Sequence, residues 1–242
     1  MYLSIIIPAY NEERRLPKTL SEIDGYLKQQ EYEYEIIVIN GGSEDKTAEV
    51  ARNLQPEIAN LKIINNEKNN GKGYVVRQGL LEAKGEIRLF TDADNSTSID
   101  QVEKMLPYFK NGYDSYDIVI GSRDIKGAVL DPPQPFYRRI LGNIFNIMTQ
   151  LIVGLWGIKD TQCGFKALSK KAAEDIMPKC VIDRWAFDPE ILKIGRKMGY
   201  KIKEIPVVWR NDLESKVKLR STIKMALDLL RIRWNLILRK YN

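Results

Sequence analysis

Strand-like and helix-like segments alternate at short intervals, which predicts an α/β domain on a mostly parallel central sheet with helices on both faces. Three observations carry this. Runs such as Ile5-Ile6-Ile7 and Ile36-Ile37-Val38-Ile39 are apolar at every position, as in strands buried on both sides. The segments between them repeat apolar residues at helical spacing. A chain of 242 residues with 44% apolar and 29% charged side chains can bury one sizeable core or two small ones.

In chain order, residues 2–7 read as a strand closed by Pro8. A helix follows to about Gln30, carrying Leu16, Leu20, Ile23 and Leu27 on one face, with Pro17 tolerated in its first turn. Strands are expected at 36–39, 61–64, 87–91 and 117–121, and helices at 44–54 and 73–84. Ser98, with Gln101 three residues on, has the spacing of a capping box and predicts a further helix. Beyond Gly121 the alternation breaks at the stiff loop Asp131-Pro132-Pro133-Gln134-Pro135. A long helix over 136–155, apolar on most sides, comes next. A helix over 186–198 and a strand over 202–208 complete the domain. The expected organisation is one domain over 1–215 and a basic amphipathic helix over 216–242.

Composition excludes several chemistries. There is no histidine, so neither a Ser-His-Asp or Cys-His apparatus nor a His-ligated zinc site exists. Acid-base work falls to carboxylates, Lys, Tyr or the substrate. Cys163 and Cys180 form no C-x-x-C pair, in keeping with a reducing compartment. No secretory leader is expected, and no stretch approaches twenty uninterrupted apolar residues. The net charge of +6 is uneven. Residues 195–242 hold 13 Lys/Arg against 4 Asp/Glu, while 1–194 carry a net −3. Nucleic acid and anionic lipid are both conceivable partners for such a tail.

The chemistry-bearing candidates sit in loops after strands, where α/β sheets bind ligands. In Asp92-Ala93-Asp94 an extended backbone turns both carboxylates the same way. Two hard oxygen ligands leave positions on an Mg2+ or Mn2+ ion for a nucleotide diphosphate. The plain alternative is two turn aspartates, with Asn95 to Ser98 capping a helix. The loops Pro8-Ala9-Tyr10-Asn11-Glu12, Asn40-Gly41-Gly42-Ser43 and Asn69-Asn70-Gly71-Lys72-Gly73 converge on the same edge. Gly71-x-Gly73 does not continue as G-x-G-x-x-G, and Asp45 stands where a phosphate-binding loop needs glycine.

Together, P-A-Y-N-E-E at 8–13, N-G-G-S-E-D-K-T at 40–47, N-G-K-G at 70–73 and D-A-D at 92–94 resemble glycosyltransferase family 2. G-S-R at 121–123, D-T-Q-C-G-F-K at 160–166, R-W-A-F-D at 184–188 and P-V-V-W with Ser215-Lys216 are similar to the dolichyl-phosphate glucosyltransferases within it. Dolichyl-phosphate mannosyltransferases match the later motifs less well. The resemblance implies a GT-A fold, a nucleotide-sugar donor with UDP-glucose favoured, Mg2+ or Mn2+, and a polyprenyl-phosphate acceptor. Carried over by position, Pro8, Ala9, Tyr10 and Glu12 would hold base and ribose, and Lys72 would lie beside the nucleotide. Asp92 and Asp94 would engage sugar, diphosphate and metal, and Lys216 would sit near the phosphates. Arg123, with Arg138 or Arg139, would grip the acceptor phosphate. The family usually has Asp-Asp-Gly-Ser after the second strand. Here Asn40-Gly41 replaces the pair, and Asn40 retains one acceptor and one donor for base contact.

The reaction so implied is an inverting hexose transfer at the cytoplasmic face of a membrane. A phosphate monoester, with a second pKa of about 6, is already largely anionic at neutral pH and needs no strong base. A same-fold enzyme acting on a saccharide hydroxyl would need one, from Asp160, Asp188 or Glu190. A non-catalytic nucleic-acid binder leaves the converging loops unexplained. Cys163 reads as a small packed residue rather than a reactive thiol. In the tail, Lys224, Asp228, Arg231, Asn235 and Arg239 form a polar stripe. Ile223, Leu227, Leu230, Trp234, Ile237 and Tyr241 form an apolar one, widened by Met225, Leu229, Ile232 and Leu236. So wide a face calls for its own domain plus a bilayer surface or a second copy in a homo-oligomer.

Overall fold

A computed structural model describes residues 1–110, 112, 115–133, 136–210 and 219–241; for 136–139 and 219–223 it describes the backbone. Seven strands form one sheet: β1 (Leu3–Ala9), β2 (Tyr34–Asn40), β3 (Leu61–Asn65), β4 (Ile87–Thr91), β5 (Ile118–Ser122), β7 (Phe165–Ser169) and β8 (Ile202–Pro206). Their order is β3-β2-β1-β4-β7-β5-β8. All neighbours are parallel except β7, which runs antiparallel to both β4 and β5. A two-stranded parallel ribbon pairs β6 (Val129–Asp131) with β9 (Val208–Arg210).

The period of two in the strands divides the core. Ile6, Ile37, Ile39, Phe90, Ile118 and Ile120 point to one face, against α3 (Lys72–Glu82), α5 (Lys170–Ile176) and α6 (Phe187–Lys197). Ile5, Ile7, Ile36, Val38, Leu89 and Val119 point to the other, under α1 (Leu16–Leu27). The second strand's helix, α2 (Thr47–Leu54), follows the polar loop after β2. Beyond β6, α4 (Phe136–Val153) packs against the C-terminal α7 (Leu219–Ile237).

Two expectations are corrected. Ser98 opens no α-helix: 3-10 turns span Ile99–Lys104 and Leu106–Phe109, and the Ser98 hydroxyl bonds Asp100 instead of a backbone N–H. Pro107 explains this, because it lacks an N–H and disfavours helical geometry at the residue before it. The expected strand at 202–208 is two strands, β8 and β9. In α7 the wide apolar face is divided between the protein and the surface, and Asn235 of the polar stripe is turned inward. Leu229, Ile232 and Asn235 are buried, whereas Leu227, Leu230, Trp234 and Ile237 are exposed. The boundary expected between 215 and 216 lies outside the described residues.

Topology sets up the site. Ala9 pairs with Asn40, so β1 and β2 end at one level, and β4 and β5 run the same way. Antiparallel β7 starts where β4 ends, Phe165 opposite Thr91. The residues entering β7 therefore meet the residues leaving β1, β2, β4 and β5.

Candidate active site

A cleft of about 1560 Å3 opens at this edge. Its walls include Pro8, Ala9, Tyr10 and Glu12 from the β1 loop, Gly41 from the β2 loop and Lys72 at the start of α3. Asp92 and Asp94 follow β4, and Arg123 follows β5. The sequence-predicted loops do converge.

The D-A-D turn is held by its own polar groups. The Asn95 N–H donates to the Asp92 carbonyl at 3.1 Å, with Asn95 at a left-handed φ of 51° that its short polar side chain tolerates. The Ser96 N–H donates to Asp94 Oδ1 at 2.9 Å. Burial raises the Asp94 pKa above the ordinary carboxylate value, the Asp92 charge adds to this, and the Ser96 bonds and Lys72 oppose it. Asp92 lies against Gly164, where a Cβ would come within 2.0 Å of Asp92 Oδ2. The glycine of D-T-Q-C-G-F-K is thus explained by a close approach.

Lys72 Nζ donates to Asp92 Oδ1 at 2.5 Å and stands 5.4 Å from the Trp185 ring centroid. Burial opposes its charge, but Asp92, Asp188 and Asp94 outweigh that and hold its pKa above the lysine norm. The N-G-K-G glycines pack on the R-W-A-F-D segment. A Cβ on Gly71 would meet the Asp183 carbonyl oxygen at 2.3 Å, and one on Gly73 the Ile182 carbonyl oxygen at 2.5 Å. Behind them, fully buried Lys166 pairs with Asp188 at 2.6 Å. Burial raises the Asp188 pKa, and Lys166 and Lys72 counter it.

Across the cleft, Arg123 is fixed by Asp160. Its Nε and Nη2 donate to the two carboxylate oxygens at 2.7 and 2.9 Å, and its backbone N–H adds a third bond at 3.0 Å. Despite complete burial, the guanidinium charge holds the Asp160 carboxyl down at about 2. Among the described residues, no bond from Arg123 Nη1 is recorded, and its guanidinium lies 5.5 Å from the Trp209 ring centroid. Nearby, buried Gln162 Nε2 is likewise unpartnered among the described residues.

Not every candidate reaches the cleft. Asn40 is buried; its Oδ1 accepts the Ser43 N–H at 3.2 Å and its Nδ2 donates to Asn65 Oδ1 at 3.4 Å, so its side chain organises the loop. Glu12 lines the cleft and binds Arg15 through two 2.7 Å bonds. Arg138 and Arg139 lie in α4, but their side chains are outside the described residues, as is Lys216 entirely. Glu190 turns into the protein, accepting from the Val181 and Ile182 N–H groups and from the Tyr241 hydroxyl at 2.7 Å. Cys163 is buried, and burial pushes its thiol up to about 11, as suits a packed residue. Trp185, Trp209 and Gln162 were missed as individual residues, though their motifs were visible.

The donor set fits a divalent cation in part. Asp92 and Asp94 line one cavity and offer hard oxygens of the kind such an ion takes, yet among the described residues no three acidic or cysteine side chains cluster as a complete cage. The remaining ligands would be diphosphate oxygens and water.

Comparison with known proteins agrees with this architecture. A Trichomonas vaginalis dolichyl-phosphate beta-glucosyltransferase is 40% identical over 244 residues, covering 96% of this chain and 73% of that protein. The Homo sapiens dolichyl-phosphate beta-glucosyltransferase is 34% identical over 242 residues, covering 96% and 74%. Among solved structures, Mycobacterium tuberculosis glucosyl-3-phosphoglycerate synthase with Mn2+ and UDP-glucose superposes at a TM-score of 0.70 with 16% identity, covering 99% of this chain and 78% of that one. Mannosyl-3-phosphoglycerate synthase from Rubrobacter xylanophilus gives 0.70 and 16%, covering 96% and 73%. These neighbours share the GT-A fold. The family model for glycosyl transferase family 2 matches residues 4–177, and the chain belongs to that family of glycosyltransferases.

Proposed function

We propose that the protein transfers a hexose, glucose by preference, from a nucleotide diphosphate sugar to dolichyl or another polyprenyl phosphate, with inversion. The observation that carries this reading is the continuity of the cleft. Asp92, Asp94, Lys72, Arg123 and the α4 residues Leu141 and Ile147 line one cavity, and the last two are also exposed on the outer surface. Groups suited to a diphosphate, to an acceptor phosphate and to an apolar lipid chain thus share one cleft.

Pro8, Ala9, Tyr10 and Glu12 would seat the nucleoside, and Lys72 would face the diphosphate. Asp92 and Asp94 would hold an Mg2+ or Mn2+ ion, which when bound supplies Lewis-acid stabilisation of the leaving diphosphate. Arg123, pre-oriented by Asp160, would present donors to the acceptor phosphate, whose own oxygen attacks the anomeric carbon. No protein base is required, since that phosphate is ionised at neutral pH. The rival chemistry, on a saccharide hydroxyl, is poorly served. Of the three carboxylates considered for that role, Asp160 is committed to Arg123, Glu190 points away from the cleft, and Asp188 is paired with Lys166.

The membrane assignment follows from surface chemistry. Ile144, Ile147, Leu151 and Trp156 in and after α4 are exposed, as are Leu227, Leu230, Trp234 and Ile237 of the helix packed on it. Arg231, Arg233, Arg239 and Lys240 are exposed on and just after that helix, as anionic lipid would require. No helix among the described residues is long and apolar enough to cross a membrane. The exposed apolar and basic side chains support an enzyme that meets its acceptor at a membrane surface.

Screening UDP- and GDP-sugars for thermal stabilisation with Mg2+ or Mn2+ tests the donor side. UDP-glucose is expected to give the largest shift, and no shift with any nucleotide sugar would contradict it.

A further inference from the structure

We infer that Lys72 is the resident counter-cation of Asp92, which keeps the divalent-metal position closed until a diphosphate draws the lysine away, so that metal and donor enter together. The inference rests on the reading of Asp92 and Asp94 as metal ligands.

The contact itself is short, Lys72 Nζ to Asp92 Oδ1 at 2.5 Å, and among the described residues it is the one ion pair of Asp92. The lysine is built into place. The Trp185 and Phe187 rings lie 5.4 and 6.0 Å from its ammonium, and Gly71 and Gly73 press its backbone against the carbonyls of Asp183 and Ile182. A freely swinging surface lysine has no such frame.

Charge then decides the order of binding. Asp92, Asp94 and Asp188 carry three negative charges here, and Lys72 and Lys166 return two positive ones. A divalent cation arriving alone must displace the Lys72 ammonium from Asp92 Oδ1 and leave it beside the new charge, with its contact to Asp92 lost and Asp94 now shared with the metal. At separations of about 4 Å such repulsion is large in a partly desolvated cleft. A cation arriving with a sugar-esterified diphosphate meets no such penalty. The phosphate oxygens accept the ammonium as the metal takes its place on Asp92. Linkage makes the effect reciprocal: diphosphate tightens metal binding as much as metal tightens diphosphate binding.

The test is Mn2+ binding to the full chain, followed by electron paramagnetic resonance of free Mn2+, with and without UDP. In the wild type, UDP is expected to tighten Mn2+ binding by about tenfold or more, on the scale of a removed charge-charge penalty. Lys72→Met is expected to tighten Mn2+ binding in the absence of UDP by a similar factor and to shrink the UDP enhancement. Lys72→Arg, which keeps the charge, should stay near the wild type. Wild-type Mn2+ binding that is equally tight with and without UDP overturns the inference without reliance on any variant. So does a folded Lys72→Met protein whose Mn2+ affinity without UDP is unchanged while Asp94→Asn abolishes it, an outcome that leaves the metal reading standing. Mn2+ binding indifferent to Asp94→Asn, even with UDP, overturns the metal reading and the exchange with it.

Discussion

Arg123 and Asp160 form a two-point ion pair at the cleft, Nε to Oδ2 at 2.7 Å and Nη2 to Oδ1 at 2.9 Å. Asp160 is wholly buried, and its Oδ1 also accepts the Gln162 N–H at 3.0 Å. One carboxylate therefore orients the arginine and shapes the loop that leads to Gly164 and Asp92. The Arg123 and Asp92 sides of the cleft share this anchor.

Replacing Asp160 with Asn would leave the partly buried Arg123 guanidinium without its counter-charge. The expected loss is about 3–5 kcal/mol of stability, read from urea unfolding at pH 7. Acid dependence gives an independent check. The Asp160 pKa is lowered from 3.8 to about 2, so its contribution is complete above pH 4 and disappears as the pH falls through 2. The stability gap between wild type and Asp160→Asn is expected to narrow over that window. A gap that stays constant from pH 4 to pH 2 would exclude Asp160 as its source.

Gly164→Ala places a methyl group where Asp92 Oδ2 now lies, 2.0 Å away. Asp92 must move, and a shift of about 1 Å at a metal ligand is expected to lower transfer about 100-fold. The melting temperature should change far less than for a core substitution. Activity within a few fold of wild type would show that the Asp92 position is not critical.

Lys166 and Asp188 are buried together at 2.6 Å. Lys166→Met alone is expected to cost about 3–5 kcal/mol, because it leaves a carboxylate uncompensated. Adding Asp188→Leu should restore part of that stability, and a double-mutant cycle measures the coupling. Additive losses would mean the two side chains act independently.

Much of this architecture was legible in the sequence, for physical reasons that also explain the misses. β1 and β2 announce themselves because strands buried on both faces need apolar runs, and Ile5-Ile6-Ile7 and Ile36-Ile37-Val38-Ile39 meet that demand. β7 was invisible because Lys166, its second residue, carries a charge into a short strand. A charge there reads as surface until Asp188, twenty-two residues later, is seen to neutralise it. The converging loops were found from strand ends alone, but the pairing of Arg123 with Asp160 spans thirty-seven residues and has no local signature. For α7, the sequence shows an apolar face wider than one contact can cover. Which part faces inward depends on α4 and on the Tyr241–Glu190 bond. Asn235 is buried because it donates to that tyrosine, which no periodicity encodes.

The outer surface of α4 and α7 carries its own expectation. Leu151 and Trp234 are 63% and 60% exposed, so charging them should leave the fold intact. Leu151→Glu with Trp234→Glu is expected to weaken flotation with anionic vesicles about tenfold or more. Transfer to a short-chain polyprenyl phosphate in detergent should be largely preserved. Unchanged vesicle binding would remove the membrane role from this face.

The central claim is the identity of the acceptor. Purified protein is incubated with UDP-[14C]glucose and Mn2+, with dolichyl phosphate and a free saccharide as acceptors in the same vessel. The account predicts label in the organic phase as a glycosyl phosphodiester, lost in Asp94→Ala and strongly reduced in Arg123→Ala. Label on the saccharide, or lipid label that survives Asp94→Ala, would contradict it.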